Sequence, residues 1–270
     1  MGKYGQFTSF MTMQDDVIVQ FTLMALIVIG GIGFFVWSDL IRCKWHFKRY
    51  ALHTKIVLVT TAFLILSGWL GFFLLEQEGA LAGMSTGEQI LGALFQSVTT
   101  RTAGFNTIDQ AALTDGGGIL SIVLMLIGGS PGSTAGGIKT ATFFIVIMNV
   151  VASVRSKDSI TVFKKRISDE TVKQACAITT VYIVLALGCA VAIMALESIE
   201  LEVALFETSS AIGTVGLTMG ITPSIGTASK WILAFLMYAG RVGGLSLALA
   251  FSTEGERPDI QRPTEKVLIG

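Results

Sequence analysis

Two short glycine-containing loops hold the residues of this chain that are best placed to do chemistry. They read Thr102-Ala103-Gly104-Phe105-Asn106 and Thr214-Val215-Gly216-Leu217-Thr218, with Gly216 following Gly104 by 112 residues. Each loop follows a short, mostly uncharged stretch and precedes a long apolar one. Bilayer hydrocarbon does not tolerate bare backbone unless that backbone is buried in protein or lines a watery cavity. Two such loops between apolar segments therefore indicate a pore.

The chemistry expected at these loops is the binding of a dehydrated cation by backbone carbonyl oxygens. Such a cation needs several oxygens, which loops from several repeats can supply together and one loop cannot. Thr214-Val215-Gly216 is also the core sequence of the filter that strips water from potassium. Glycine allows the backbone to turn carbonyls toward an axis, and the C-terminal ends of the preceding half-helices favour cations. A single loop would be interpreted as a turn between helices, whereas two matching loops favour a pore.

The composition indicates an integral membrane protein. Of the 270 residues, 52% are hydrophobic and 14% are charged, and the mean hydropathy is +0.70. Soluble proteins carry about 25% charged residues, so the composition excludes an ordinary soluble domain. The formal net charge is zero, which gives no global attraction to nucleic acid. We expect membrane lipid, and not nucleic acid, as a partner.

Several apolar stretches reach, or nearly reach, the length of about 20 residues that a membrane-spanning helix needs. They are Val17–Trp37, Ile56–Leu75, Ile119–Val154, Gln174–Leu196 and Lys230–Phe251. The third is too long for one span, and its middle contains five glycines and one proline. We expect a broken helix over residues 128–140, as at the ion and substrate sites of transporters.

Charge in the connecting segments predicts the orientation through the positive-inside rule. Arg42–Lys55 holds five Lys or Arg residues, Arg155–Lys173 holds six and Ser252–Gly270 holds three. Glu76–Thr100 and Glu197–Thr208 hold none, but carry three and four glutamates, which would concentrate cations at an outer mouth. We therefore expect residues 1–16, 76–118 and 197–227 outside, and residues 42–55, 155–173 and the C-terminus in the cytoplasm.

This orientation requires both glycine loops to enter the membrane and return on the outer side. The stretches Glu88–Val98 and Leu201–Ile212 are too short to span and long enough for half-helices. The predicted fold class is therefore an all-α membrane protein with repeats of helix, pore helix, filter loop and helix, like a potassium channel. We expect two complete repeats, preceded by the last helix of another repeat.

The domain boundaries follow from this repeat. The first complete repeat covers residues 56–154, with filter loop 102–106 and broken helix 128–140. The second covers residues 174–252, with filter loop 213–218. The remaining segments are an outer N-terminal segment with the closing helix Val17–Ile41 and a basic loop, over residues 1–55, a cytosolic basic loop 155–173, and a cytosolic tail 253–270.

Charges and glycines at membrane depth are candidate gate residues. Arg241 lies inside the last apolar stretch, where a charge is costly and marks a functional position by default. We expect Arg241 below the filter and facing the pore, with packing against a carbonyl as the alternative. Lys139 either snorkels to the inner interface or takes part in gating. Arg101 adjoins the first loop and could pair with Asp109. The mid-membrane glycines serve close helix packing, a conduction path, or both.

Other classes of function have little support in the residues. The segment 132–140 resembles a phosphate-binding loop, but Ile138 interrupts the pattern before Lys139. His46 and His53 share one basic segment and are better explained as interfacial residues than as a metal site. The three cysteines have no metal-ligand spacing and imply no disulfide framework. We expect neither an enzyme nor a bound cofactor.

Four stretches resemble the TrkH/KtrB family of potassium-uptake proteins, and in particular its KtrB branch. They are Phe95–Thr107, Gly129–Thr140, Glu207–Leu217 and Gly240–Gly243, and the likeness extends over nearly the whole chain. Members of that family have four covalently linked helix–pore–helix repeats with one filter glycine in each. The resemblance implies that Gly104 and Gly216 are the third and fourth filter glycines.

The same resemblance implies the site residues. K⁺ would bind the backbone carbonyls of Thr102, Ala103, Gly104, Phe105, Asn106, Thr214, Val215, Gly216 and Leu217. An intramembrane loop below the filter would form the gate, together with the basic pore residue Arg241. The residues of that loop are Gly128, Gly129, Ser130, Gly132, Ser133, Thr134, Gly136, Gly137 and Lys139.

The resemblance also implies potassium uptake by the pore-forming subunit of a Trk/Ktr-type system in the bacterial plasma membrane. K⁺ would be the transported ion, and Na⁺ is a candidate coupling or activating ion. The family works as a homodimer on a cytosolic ring of nucleotide-binding regulatory subunits. The basic loops 42–55 and 155–173 and the tail 253–270 are candidate docking surfaces for that ring, although positive-inside anchoring explains them equally well.

Family members are much longer than this chain. We therefore expect Met1 to be an internal methionine of a longer reading frame. The alternative to a potassium-translocating subunit is a truncated, non-conducting fragment or assembly module of such a transporter.

Overall fold

The structure is a computed structural model that describes residues 9–44, 46–157 and 159–242. Within these ranges the chain is mostly helical. The helices are α1 Val17–Ile32, α2 Phe34–Cys43, α3 Leu52–Leu75, α4 Thr86–Thr99, α5 Asp115–Leu126, α6 Thr140–Val154, α7 Asp169–Glu197, α8 Leu201–Ile212 and α9 Thr227–Val242. A small antiparallel hairpin of β1 Thr161–Val162 and β2 Lys165–Arg166 lies between α6 and α7. The predicted tail 253–270 and the end of the predicted second repeat lie outside the described residues.

Polar side chains determine where several of the helices begin. Ser85 and Glu88 form a capping box at the start of α4, in which the Glu88 carboxylate accepts from the Ser85 backbone N–H at 2.7 Å. Thr114 caps α5 by accepting from the backbone N–H of Gly117 at 3.1 Å. Such caps satisfy N–H groups that have no partner inside the helix. They therefore fix the starts of a short helix before the first loop and of the long apolar segment after it.

Helices α3 and α7 are long and apolar enough to cross a membrane. The bent pair α1–α2 is a third candidate span if it is counted as one element, and α5 and α6 are shorter apolar helices on either side of an interruption. These helices make the chain a membrane protein, as the composition predicts.

The described helices form two units with the same order of elements. In the first, α3 packs against α4 and α5, and the core between them includes Phe72, Leu81 and Leu124. In the second, α8 packs against α7 and α9, around Tyr182 and Leu236. Contacts between α5 and α8 join the two units. This packing brings the loops that follow α4 and α8 close together.

The stretch Val17–Trp37, which the sequence predicts as one helix, is bent by 94°. The bend occurs at Gly33, whose φ of +91° and ψ of 152° are conformations that only glycine adopts readily. A Cβ at Gly33 would also lie 2.7 Å from the carbonyl oxygen of Pro131. The prediction of a continuous closing helix over 17–41 is wrong, because contact with a distant segment favours the bend.

The interruption predicted in the third apolar stretch is present. Helix α5 ends at Leu126 and α6 begins at Thr140, and the residues between them form a non-helical loop. This interhelical segment (residues 127–139) packs against the second glycine loop and against the bend at Gly33.

Candidate functional site

The two glycine loops share an uncommon backbone conformation at positions 112 residues apart. Thr102 and Gly104 have φ of +66° and +78°, and Thr214 and Gly216 have φ of +52° and +94°. Threonine adopts positive φ rarely, so its occurrence at the same position in both loops indicates a common design. Each loop also continues the C-terminal end of a short helix, where backbone carbonyls carry partial negative charge.

The carbonyl oxygens of the loops fall into two groups. Three accept hydrogen bonds: Phe105 from Thr99 Oγ1, Leu217 from Ser210 Oγ at 2.6 Å, and Asn106 from the backbone N–H of Phe10 at 3.1 Å. Within the described part of the chain, no donor reaches the other six. These free carbonyls belong to Thr102, Ala103, Gly104, Thr214, Val215 and Gly216. Six of the nine carbonyls predicted as ion ligands thus accept no hydrogen bond from the described residues.

The two loops touch each other. A Cβ added to Gly104 would overlap the carbonyl oxygen of Val215 and lie 3.3 Å from the Cα of Gly216. At Gly216, by contrast, no described atom lies within 4 Å of the Cβ position. At position 104, glycine is therefore required both by the contact between the loops and by the positive φ. At position 216, only the positive φ requires glycine.

Hydroxyl groups at the ends of the short helices hold the loops in shape. Ser210 Oγ donates to the Leu217 carbonyl and accepts from the backbone N–H of Gly216 at 3.1 Å, so that one side chain fixes both sides of the glycine. Thr99 anchors the first loop at the Phe105 carbonyl. Thr99 and Ser210 were not among the predicted site residues, although both lie inside the stretches that resemble the family.

Polar side chains buried in the short helices brace the outgoing limb of each loop. In the first unit, Gln96 and Gln110 donate to each other's side-chain carbonyls at 2.7 and 3.1 Å. In the second, the Glu207 carboxylate accepts from Thr218 Oγ1 at 2.6 Å and from the backbone N–H of Met219 at 3.0 Å. Glu207 belongs to the glutamates that the charge pattern predicts at the outer mouth, but it lies in the interior with only 4% of its surface exposed.

The interhelical segment has a defined structure of its own. Ile127 and Ile138 form an isolated parallel bridge, in which the backbone N–H of Gly128 donates to the Ile138 carbonyl at 2.9 Å. Ser133 Oγ donates to the carbonyl of Ser130 at 2.7 Å and closes the turn at the tip. Backbone hydrogen bonds thus replace those that a continuous helix would have made.

This segment contacts the second glycine loop and the residue that precedes the first. The backbone N–H of Gly136 donates to Thr214 Oγ1 at 3.0 Å, and Arg101 Nη2 donates to the carbonyl of Gly128 at 3.5 Å. On its other side the segment meets the bend between α1 and α2. There the N–H of Ser130 donates to the Gly31 carbonyl at 2.9 Å.

The predicted gate residues lie together in this region. Arg241, near the end of α9, donates to the carbonyl of Thr134 at the tip of the segment. Lys139 donates to the carbonyl of Ala135 within the segment. The tertiary structure therefore brings a cation of the last described helix against a segment more than a hundred residues earlier.

Arg101 does not pair with Asp109, and that suggestion from the sequence is wrong. The Asp109 carboxylate instead accepts from the backbone N–H of Ala111 at 3.0 Å and caps a short turn. Arg101 is 8% exposed and reaches toward the interhelical segment. Because α4 ends at Thr99 and the chain turns there, the side chain extends inward and away from the outer carboxylates.

Six carbonyls on the two touching loops have no hydrogen-bond donor among the described residues and lie next to two helix C-termini, which carry partial negative charge. The interhelical segment is hydrogen-bonded to Thr214 of the second loop, and Arg101, which precedes the first loop, donates to it.

Comparison with known proteins shows the family of the chain. Residues 6–262 match the model of the TrkH family, described as cation transport proteins. The Ktr system potassium uptake protein B of Vibrio alginolyticus is 38% identical over 269 residues, which cover 97% of this chain and 58% of that protein. The potassium/sodium uptake protein NtpJ of Enterococcus hirae is 37% identical, over 95% of this chain and 58% of that protein.

The fold is also similar to a solved structure. The crystal structure of the potassium transporter TrkH from Vibrio parahaemolyticus superposes with a TM-score of 0.73 at 19% sequence identity, over 88% of this chain and 53% of that one. The chain thus spans somewhat more than half the length of the relatives that it matches. Since the family model matches almost all of the chain, the protein belongs to the TrkH family of cation transport proteins.

Proposed function

We propose that this chain is a pore-forming component of a potassium-uptake system of the Trk/Ktr type. The observation that carries the proposal is the pair of touching loops, which together have six carbonyls without a hydrogen-bond donor among the described residues. Both loops also have positive φ at a threonine and at the glycine two residues later, at positions 112 residues apart. Oxygens that are held by protein and have no other donor can replace the hydration shell of K⁺. K⁺ is the transported ion under this proposal, and no other cofactor is required.

The architecture proposed for this function has two helix–pore helix–filter loop–helix repeats. Helices α3, α4 and α5–α6 form one repeat, and α7, α8 and α9 form the other. The bent pair α1–α2 is the last helix of a preceding repeat. The recurrence of the same order of helices, with a short helix before each glycine loop, supports this arrangement.

The interhelical segment is the proposed gate. It lies against the proposed filter through the contact of Gly136 with Thr214. Arg241 holds its tip through the carbonyl of Thr134. In this position the guanidinium adds positive charge to the path of the ion, and its release together with the segment would lower the barrier to cations.

The proposed location is the plasma membrane of a bacterium, with the N-terminal end of this chain outside and its C-terminal end in the cytoplasm. The charge distribution of the connecting segments supports this orientation. The two basic loops also lie together: the rings of Phe47 and Phe163 are 6.1 Å apart, and Lys55 Nζ lies 5.8 Å from both ring centroids.

This joint basic surface is a proposed docking site for a cytosolic ring of nucleotide-binding regulatory subunits, below a homodimer in membrane lipid. Several relatives are named as proteins of a Ktr system, which supports a multi-component assembly. The name of the Enterococcus hirae relative includes sodium, which supports Na⁺ as a coupling or activating ion.

The test is growth at low potassium, and uptake of Rb⁺, in a bacterium that lacks its own potassium uptake. The 270-residue chain is compared with a form extended upstream. Uptake by either form supports the proposal. Failure of both forms, with protein detected in the membrane, would contradict it. Uptake by the longer form alone would assign the activity to a pore completed by further loops.

A matched pair of variants tests the assignment of the loop. Gly216→Ala and Gly220→Ala place a methyl group at φ of +94° and +93°, and at both positions no described atom lies within 4 Å. Their cost to folding is therefore similar, whereas only Gly216 lies in the proposed filter. We expect Gly216→Ala to abolish Rb⁺ uptake and Gly220→Ala to retain it; equal uptake by both variants would contradict the assignment.

A second candidate is a non-conducting portion of such a transporter that serves assembly. The observation in its favour is that the chain spans 58% of the length of its relatives. This candidate predicts membrane insertion and association with a longer form but no cation-dependent stabilisation of the chain itself.

A further inference from the structure

The buried carboxylate of Glu207 has no counterpart in the first unit. It lies in the middle of α8, and its oxygens accept from Thr218 Oγ1 at 2.6 Å, Met219 N at 3.0 Å and Thr222 Oγ1 at 2.9 Å. All three donors belong to the limb that leaves the second loop. The corresponding brace of the first loop, Gln96 with Gln110, is neutral. The two loops are therefore braced in the same way but differ by one charge.

Among the described residues, no basic side chain neutralises the charge of Glu207. The described residues form one ion pair, between Arg166 and Asp169 at the hairpin, and none at Glu207. The three donors satisfy a carboxylate, which only accepts hydrogen bonds. A buried charge without an opposite charge is nevertheless costly, and hydrogen bonds from neutral groups offset only part of that cost.

Helix dipoles explain other buried or multiply bonded carboxylates of the chain, but not this one. Glu76 accepts from the backbone N–H of Thr114 at 3.1 Å and lies at the N-terminus of α5. Glu197 accepts from the N–H of Gly226 at 2.9 Å and from Ser229 at the N-terminus of α9. Those helix ends carry partial positive charge. Glu207 lies in the middle of α8, away from the positive N-terminal end, so the helix dipole does not stabilise its charge.

We propose that Glu207 is a positioning residue that supplies fixed negative charge behind the second loop and sets the affinity for the cation. The inference rests on the proposed function, because the compensating positive charge is the K⁺ bound by the free carbonyls. Thr218, its partner, directly follows Leu217, the carbonyl of which is anchored by Ser210. Only Leu217 separates Thr218 from Gly216, the last residue of the second loop with a free carbonyl. The electric field of the Glu207 carboxylate therefore acts on the proposed ion-binding backbone through little solvent.

The test separates charge from bracing with two variants. Glu207→Gln removes the charge and keeps the length of the side chain and one acceptor oxygen, which can still accept from Thr218 Oγ1 and Met219 N. The amide NH2 would then donate to Thr222 Oγ1, and that hydroxyl can still donate to Thr218 Oγ1. Glu207→Asp keeps the charge but is one methylene shorter, which disturbs all three hydrogen bonds. Glu170→Gln, which neutralises an exposed carboxylate at the cytosolic start of α7, is the control for loss of one charge.

Two readouts are used: the half-saturation concentration for Rb⁺ uptake, and the stabilisation of the detergent-solubilised protein by K⁺ in thermal unfolding. We expect Glu207→Gln to weaken apparent cation affinity roughly five- to twentyfold, the scale of a lost charged contact, and Glu207→Asp to weaken it less. Glu170→Gln should match the parent chain. Binding stabilises the folded state in proportion to the logarithm of ligand concentration over Kd, so thermal protection by K⁺ should change in parallel.

The inference is overturned if the apparent cation affinity of Glu207→Gln stays within about twofold of that of the parent chain, since about tenfold is a clear effect. It is also overturned if Glu207→Asp loses more cation affinity than Glu207→Gln. That order is expected if the side chain only braces the loop through its hydrogen bonds and its charge has no role.

If Glu207→Gln does not fold, Glu207→Asp decides the question. Retained thermal protection by K⁺ in Glu207→Asp supports the inference, and lost protection in a folded protein overturns it. Thermal protection does not require transport, so it tests Glu207 in the 270-residue chain even where uptake needs the longer form. Absence of uptake by both forms would contradict the proposed function and leave this test of Glu207 in place. A parent chain that K⁺ does not stabilise overturns the inference.

Discussion

Gly104 of the first loop lies directly against the carbonyl oxygen of Val215 in the second, so closely that a methyl group on Gly104 would overlap that oxygen. The two residues are far apart in the chain and belong to different helical units. Their contact joins the two loops into one surface of carbonyl oxygens. Several testable consequences depend on this contact and on the groups that support it.

The substitution Gly104→Ala should separate the two loops. Its methyl group meets Val215 and also occupies a left-handed φ of +78°. We expect the free energy of unfolding to fall by about 2–5 kcal/mol, combining backbone strain with overpacking, and cation uptake to be lost. Thermal unfolding in detergent and Rb⁺ uptake measure the two effects.

The control for this substitution is Gly83→Ala. Gly83 has a φ of +80° and no described atom within 4 Å of its Cβ position, so the backbone strain is the same and the overlap is absent. We expect a loss of only about 1–2 kcal/mol and retained uptake. Equal destabilisation by both substitutions would mean that the contact with Val215 contributes nothing.

Ser210→Ala should loosen the second loop. It removes the hydroxyl that donates to the Leu217 carbonyl and leaves the N–H of Gly216 without its acceptor. We expect a loss of about 1–3 kcal/mol in the free energy of unfolding, the range for a buried hydrogen bond left unmade, and a lower preference for Rb⁺ over Na⁺ in competition assays.

The neighbouring Ser209 provides a matched control, because its buried hydroxyl has no hydrogen-bond partner among the described residues. Ser209→Ala removes the same atom from the same helix. We expect it to be neutral, within about 0.5 kcal/mol, or slightly stabilising. A loss of ion preference in Ser209→Ala comparable with that in Ser210→Ala would argue against a specific role of the Ser210 hydroxyl.

Arg241→Gln should release the interhelical segment. The guanidinium donates to the carbonyl of Thr134, and its removal takes both a hydrogen bond and a positive charge away from the proposed path. We expect the maximal rate of uptake to rise about two- to tenfold, as expected for a barrier lowered by about 0.4–1.4 kcal/mol. The half-saturation concentration should change little, since the free carbonyls are unaltered.

Arg241→Lys keeps the charge and should give a rate between those of the parent chain and Arg241→Gln. An unchanged or lower rate for Arg241→Gln, at equal protein level in the membrane, would show that this residue serves packing and not gating.

Gly33→Ala should disturb the bend between α1 and α2. The added methyl group lies 2.7 Å from the carbonyl of Pro131, at a φ of +91°. We expect the free energy of unfolding to fall by about 2–4 kcal/mol.

Gly30, three residues earlier in α1, has no described atom within 4 Å of its Cβ position. Gly30→Ala should raise stability by about 0.5–1 kcal/mol, because alanine loses less backbone entropy in a helix. A similar effect of both substitutions in thermal unfolding would mean that the contact with Pro131 does not stabilise the bend.

Much of the local organisation follows from the sequence. The apolar stretches, the two short helices at Glu88–Val98 and Leu201–Ile212 and the interruption around Pro131 are visible as composition and periodicity. The structure has α4 at Thr86–Thr99, α8 at Leu201–Ile212 and a non-helical segment between Leu126 and Thr140. Each of these features depends on neighbours in the chain, which is why a linear pattern reveals it. The resemblance to a family, confirmed by the match over residues 6–262, also rests on the sequence alone.

Only the tertiary structure decided which groups meet. The sequence does not show that Arg101 extends to Gly128 and not to Asp109, because both directions are open to a residue after a helix end. It does not distinguish the six free carbonyls from the three that Thr99, Ser210 and Phe10 occupy. The bend at Gly33 likewise depends on Pro131, almost a hundred residues away. These contacts arise from the packing of helices that are distant in the chain, and the energy of such packing is not encoded in any local pattern.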